Sequence, residues 1–417
     1  MTAADHSAAS AVPKAGSGKW RTIGLLAGAE LLAMGLWFSA SAVAPVLSQH
    51  WNLSGAQAAW LTMAVQLGFV AGALLSSLFN LPDLWPPQRV VACGAWAGAT
   101  ANAMVPFLDL PFGGAVTARF VTGMALAAVY PPGMKIIATW TREDRGLAIG
   151  VLVGALTVGS ASPHLLRALG GVTAWEPVMY LASALAAVGG ALAWQYGAQG
   201  PYRGAVPRFE WRYMGRAFAQ RPLRLANGGY LGHMWELYAM WTWIPLFLAY
   251  AYQEAGVRNA PVMASLAAFA CIAAGGAGCV TAGWLADRWG RTRTTIASMA
   301  TSGACALVIG SAVAAGPVMV TLLALVWGFA IVADSAQFSA SVSELSDPSY
   351  VGTQLTTQTS AGFLLTLASI QLVPLLVEWV GWQWAFAFLA PGPAVGSLAM
   401  WLLKRSPEAG KLAGGRG

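Results

Sequence analysis

Apolar positions run in long, nearly unbroken blocks along this 417-residue chain, separated by short polar breaks. The blocks cover residues 22–47, 55–78, 90–108, 114–140, 147–169 and 177–195, then 225–252, 262–285, 294–315, 317–343, 352–377 and 382–403. A helix crosses the hydrocarbon core of a bilayer with roughly 20 apolar residues. The pattern therefore predicts an all-α membrane protein with twelve transmembrane helices. The fourth is expected to break at Pro131-Pro132, where ring nitrogens replace backbone donors. A polar, arginine-rich segment separates the sixth block from the seventh. It divides the chain into a tail at 1–21, a first bundle at 22–195, a linker at 196–224, a second bundle at 225–403 and a closing tail at 404–417. A short amphipathic helix is expected within the linker, around residues 212–218.

The two halves share a string. Residues 30–37 read ELLAMGLW and residues 236–243 read ELYAMWTW, with five of eight positions identical at a spacing of 206. At 3.6 residues per turn, Glu30, Met34 and Trp37 share one helix face, as do Glu236, Met240 and Trp243. A carboxylate inside an apolar block is costly and is a functional candidate by default.

Composition excludes a soluble protein: 57% of residues are hydrophobic and 9% are charged, against about 25% charged in soluble domains. Cys93, Cys271, Cys279 and Cys305 have no zinc or redox spacing and read as small packing residues. The polar start, ending in Lys14, Lys19 and Arg21, is similar to that of a signal peptide, and residues 41–44 (SAVA) could serve for cleavage. The first block is longer than a signal core and holds one copy of the repeat, so an uncleaved span is expected. The net charge of +7 is a matter of topology, not nucleic-acid binding. With the N-terminus inside, twenty of the twenty-three Lys and Arg residues fall on cytoplasmic segments or span ends. Both termini and the linker are thus expected in the cytoplasm of a cell with an inner membrane. Residues 344–351 are the one cytoplasmic stretch without Lys or Arg.

Between the eighth and ninth blocks stands GWLADRWGRTR, residues 283–293. Gly290 permits a tight turn, and Asp287 can accept charge-assisted bonds or cap a helix. The string resembles the G-x-L-a-D-R-x-G-R-(K/R) signature of the major facilitator superfamily of secondary transporters. That resemblance implies a gate role for Asp287, Arg288, Gly290 and Arg291. Residues 81–89 align as a degenerate copy that keeps Asp83 and Arg89 as gate candidates and replaces the glycine with Pro86. Arg119 to Gly123 resembles the family's R-x-x-x-G pattern on its fourth helix, and Glu30 is the candidate partner of Arg119. The glycines of the fifth block, Gly150, Gly154 and Gly159, read as close helix packing.

The resemblance extends over essentially the whole chain. It implies two six-helix bundles with pseudo-two-fold symmetry, a central site, and alternating access by rocking of the halves. By that analogy the first, fourth, seventh and tenth helices line the cavity, and these carry Glu30, Arg119, Glu236 and Asp334. Glu236 is the first candidate for the proton carrier and Asp334 the second. Glu30 beside Arg119 is expected to stay ionised. His233, three residues before Glu236, is placed to share its proton. Arg119, His233, Trp37, Met34, Met240, Trp243, Trp327 and Gln337 are the candidate substrate contacts. Gln66, Gln371 and Trp241 are further polar or aromatic candidates. A second reading makes His233, Met234, Met240 and Met34 the soft ligands of a transition-metal importer. A third is a non-transporting membrane receptor on the same fold. No nucleotide motif, Ser-His-Asp set or Cys cluster points to an enzyme, and no cofactor or resident metal is expected. The expected partners are a small-molecule solute, a proton and the lipid bilayer, with no nucleic acid, and the chain is expected to be a monomer.

Overall fold

A computed structural model describes residues 18–79, 85–141, 145–202 and 209–417. Twelve long helical segments follow the apolar blocks: α1 (Lys19–Ala42), α2 (Gly55–Leu78), α3 (Pro87–Phe107), α4 (Phe112–Ala138), α5 (Gly146–Gly170), α6 (Glu176–Tyr196), α7 (Arg221–Glu254), α8 (Ala260–Trp289), α9 (Arg291–Val308), α10 (Pro317–Leu345), α11 (Val351–Val380) and α12 (Trp382–Lys404). Ten of them are long and apolar enough to cross a membrane. The other two are α7 and α9. The first carries Arg221, Arg224, Glu236 and Glu254 together with many Trp and Tyr side chains, and the second is rich in Thr, Ser and Arg. No strand occurs among the described residues.

Local breaks follow local chemistry. The first apolar block splits after α1, and a short helix, Ala44–His50, continues it with Pro45 in its first turn, where a missing donor does no harm. α4 is interrupted at residues 127–129, just ahead of the Pro131-Pro132 pair. α10 is interrupted at Asp334, which separates Pro317–Ala333 from Ser335–Leu345. In the linker, the expected surface helix is a 3-10 turn, Trp211–Tyr213, and a single helical turn, Arg216–Ala219. Both lie against the start of α11, where Tyr213 stacks on Tyr350 and its carbonyl accepts from Gln354.

Packing repeats at a spacing of six helices. α1 packs on α5 and α6 as α7 packs on α11 and α12; α2 packs on α4 as α8 packs on α10; α3 packs on α6 as α9 packs on α12. This is the pseudo-two-fold arrangement of two six-helix bundles. The bundles meet mainly through α2 against α11 and α5 against α8. The α5–α8 seam is closed by small residues. A Cβ on Gly150 would stand 2.7 Å from the Cys279 carbonyl oxygen, and one on Gly154 would stand 2.9 Å from that of Gly276. Bare backbones approach because no side chain keeps them apart. On the other seam, Thr366 of α11 donates to the side-chain oxygen of Gln66 on α2.

Candidate functional site

Between the two halves lies a cavity of about 1270 Å³. Its closed end is an aromatic cluster drawn from both bundles. Trp37 of α1 lies 5.1 Å from Phe69 of α2, 5.7 Å from Tyr238 of α7 and 5.4 Å from Phe363 of α11, measured between ring centroids. Trp241 joins at 5.6 Å from Tyr238. Such tilted pairs favour edge-to-face contact and exclude water. The wider end is lined by Trp85, Gln88, Lys135, Tyr202 and Phe209, at the end of the bundle where α1 begins. Lining residues come from α1, α4, α7 and α10, as the family resemblance implies, and also from α2, α5 and α11.

Of the eight expected substrate contacts, Trp37 lines this cavity; the others stand behind its wall. Arg119 is fully buried and acts as a hub within the first bundle. Its guanidinium donates to Asn102 Oδ1 (2.6 Å), Ser39 Oγ (3.1 Å), the Trp37 carbonyl (2.5 Å) and the Leu61 carbonyl (3.4 Å). Asn102 in turn donates to the Met179 carbonyl and to Ser183 on α6. This corrects the expected Arg119–Glu30 pair. Glu30 stands nine residues before Ser39 on α1, roughly 13 Å along the axis, and neutral acceptors satisfy Arg119 at its own level. An intramembrane arginine needs acceptors, not necessarily a carboxylate. Asn102 and Ser39 went unnoticed in the sequence, although an Asn in mid-span was the available signal.

Glu30 itself is buried, and neither carboxylate oxygen has a hydrogen-bond partner. It faces the part of α4 beyond the break, where a Cβ on Gly133 would stand 3.7 Å from its Oε2. Glu236 is held on both oxygens. Trp327 of α10 donates its indole N–H to Oε1 at 2.7 Å, and Ser302 of α9 donates to Oε2 at 2.9 Å. Trp327 is therefore an anchor for an acid and not a wall of the cavity. His233 turns to Asp334 and not to Glu236, with its Nδ1 2.9 Å from Asp334 Oδ1. This contact pairs Asp334 with a histidine, where the sequence had placed His233 with Glu236. Asp334 occupies the break in α10, and its neighbours Val332 and Ser335 line the cavity, as does Met234 beside His233. Met34 and Met240 are fully buried elsewhere, so the soft ligands of the metal reading do not converge on the cavity. Trp243 donates to the Ile370 carbonyl at 2.9 Å.

At the wider end, Asp287 and Arg291, two of the expected gate residues, share one polar network. The Asp287 carboxylate lies over the first turn of α5, against Gly146. A Cβ on Gly146 would come within 2.4 Å of its oxygens. A carboxylate at a helix N-terminus is favoured by the unpaired donors and the dipole there, so this contact ties the second bundle to the first. Arg291 forks onto Glu344, with Nη2–Oε1 at 2.6 Å and Nε–Oε2 at 2.9 Å. It also donates to Gln337 Oε1 at 2.8 Å and lies 3.9 Å from Asp287. Gln337 thus bonds Arg291 and is not among the residues lining the cavity. Glu344 was not foreseen; its place in the one cytoplasmic stretch lacking Lys and Arg was the signal. Arg288 stacks on Trp284 at 3.7 Å. Gly290 has φ +96°, a conformation that suits glycine, and its α face is covered by the backbone of Arg416 and Gly417. Arg416 donates to the Asp287 carbonyl at 2.8 Å. In the first half, Arg89 lies over the Trp194 ring at 5.2 Å, while Asp83 lies outside the described residues.

No curated protein sequence matches the chain. Among solved structures, a crystal structure of the nucleoside transporter NupG aligns with TM-score 0.66 and 15% identity, covering 92% of this chain and 99% of that one. A point mutant of NupG aligns with TM-score 0.68, 16% identity and the same coverage. At that identity the likeness speaks for the fold. The family model described as Major Facilitator Superfamily matches residues 26–370 and 280–417, so with its gate signature and paired six-helix bundles the chain belongs to the major facilitator superfamily of transporters.

Proposed function

We propose that this protein is a proton-coupled secondary transporter that moves a small organic solute across the cytoplasmic membrane by alternating access. The observation that carries the reading is the cavity between the bundles, closed at one end by an aromatic cluster from both halves. Opening that cluster while closing the wider end requires the halves, residues 22–195 and 225–403, to rock about the linker. The distribution of Lys and Arg supports cytoplasmic termini, so the cavity opens inward. The Asp287, Arg291 and Glu344 network is the gate at that end. The protein acts as a monomer.

Among Glu236, Asp334 and Glu30, the geometry favours Asp334 with His233 as the proton site. A carrier must change partners between states, and Glu236 is held by two donors within its own bundle. Asp334 sits at a helix break, one residue from the cavity wall on the Ser335 side and two on the Val332 side. Glu30, with no fixed donor, is the second candidate.

The test is uptake into proteoliposomes under an imposed pH gradient, across a solute panel that includes nucleosides because the aligned structures are nucleoside transporters. Asp334→Asn is expected to abolish gradient-driven accumulation and to leave solute exchange between the two sides. Accumulation that ignores the gradient in the unaltered protein would refute proton coupling.

A further inference from the structure

Seven tryptophans bear on what the cavity binds. Trp96, Trp140, Trp243 and Trp327 each donate the indole N–H to a protein oxygen, at 3.0, 2.8, 2.9 and 2.7 Å. Trp235 does so at 3.4 Å. Trp37 and Trp241 are different. They are 3% and 1% exposed, and neither buried Nε1 has an acceptor. These are the two that line the closed end of the cavity. A buried donor without an acceptor is costly, so it calls for a partner that the protein alone does not supply. Both donors belong to one aromatic cluster, through Tyr238.

The charge of the wall narrows the partner. Aromatic faces can attract cations, yet no Asp or Glu occurs among the described lining residues, and the charged one is Lys135. Glu30, Glu236 and Asp334 lie behind the wall. Among the described lining residues, an aromatic cation would therefore meet ring faces and no carboxylate.

We propose that the closed end of the cavity binds a planar aromatic or heteroaromatic solute that carries hydrogen-bond acceptors and no positive charge, with the indole N–H groups of Trp37 and Trp241 as its donors. The inference rests on the transporter reading for its use, but not for its binding geometry. The ring packs among Trp37, Tyr238 and Phe363, and carbonyl, carboxylate or ring-nitrogen acceptors take the two N–H groups. The comparison with the satisfied tryptophans shows why two donors are reserved here. Every other one named above is spent on an oxygen elsewhere in the protein.

Binding to the purified full chain in lipid nanodiscs tests this with four probes. Uridine and benzoate carry a ring and acceptors, cyclohexanecarboxylate carries acceptors without an aromatic ring, and phenyltrimethylammonium is an aromatic cation. Uridine or benzoate is expected to bind, more tightly than both other probes. Trp37→Phe and Trp241→Phe keep an aromatic ring and remove the donor, and each is expected to weaken that binding about tenfold. Unchanged affinity in both variants overturns the proposal. So does tighter binding of cyclohexanecarboxylate or phenyltrimethylammonium, or no binding of either ring-bearing acceptor. If the variants do not fold, the ranking of probes on the unaltered chain decides. Proteoliposome uptake separates the two readings. Gradient-driven uptake of an aromatic cation in preference to both ring-bearing acceptors would sink the solute class and leave the transporter. Binding of uridine or benzoate, with no movement of any panel solute in either direction, would sink the transporter and leave the site.

Discussion

Glu30 and Glu236 occupy the same place in two copies of one string, and their surroundings are opposite. Glu236 has an indole and a hydroxyl on its two oxygens. Glu30 has no hydrogen-bond partner on either. The third residues of the two stripes diverge as well. Trp37 lines the cavity with its N–H unspent, whereas Trp243 spends its N–H on the Ile370 carbonyl. The middle residues, Met34 and Met240, are alike in being fully buried. A repeated string thus places two helices in equivalent positions without giving them equivalent roles. Partners come from neighbouring helices, and these have diverged: Ser302 and Trp327 surround one acid, Gly133 the other. The first bundle instead concentrates its polar bonds on Arg119, one level away along α1.

Three substitutions test this contrast by thermal unfolding of the purified protein. The largest effect is expected from Arg119→Leu. It removes donors to α1, α2 and α3 at once, and buried charge-assisted networks lose about 3 kcal/mol or more when their centre is deleted. A loss confined to a few tenths would show that the hub does not brace the bundle. Next comes Glu236→Leu, which strands the Trp327 N–H and the Ser302 hydroxyl, at about 1–3 kcal/mol for a buried donor left without its acceptor. The smallest is Glu30→Leu. No hydrogen bond is lost, and an acid leaves an apolar site, so the change is expected to be neutral or stabilising by about 1 kcal/mol. Glu30→Leu should also add to Arg119→Leu within about 0.5 kcal/mol, as independent sites do. A larger coupling would restore the Arg119–Glu30 pairing.

Much of the architecture was legible in the chain because bilayer physics is written locally. Length and apolarity of a block set a span, and Pro131-Pro132 marked the break in α4. The string GWLADRWGRTR brought Asp287, Gly290 and Arg291 together because they lie within one turn and its flanks. Partners across helices were harder to read. Periodicity says that Glu236 and His233 share a face, yet one side chain reaches Ser302 and Trp327 while the other reaches Asp334. A face some 100° wide meets more than one neighbour, and which neighbour depends on how each helix is rotated and shifted against the next. The same limit led to Glu30 as a partner for Arg119 when Asn102 and Ser39 were nearer, and to Trp327 as a cavity wall when it anchors an acid.

What the sequence by itself determined is the number of long apolar segments, their division about the linker, the repeat that relates the halves, and the turn between α8 and α9. Each is a property of contiguous residues, and in a membrane a helix must satisfy its own backbone wherever it stands. The tertiary structure alone decided which buried polar groups meet. It gave Arg119 neutral acceptors, gave His233 to Asp334, closed Glu236 off, and left the buried indole donors of Trp37 and Trp241 without acceptors. Those outcomes turn on distances of about 3 Å between residues far apart in the chain, which helix packing sets and local pattern does not.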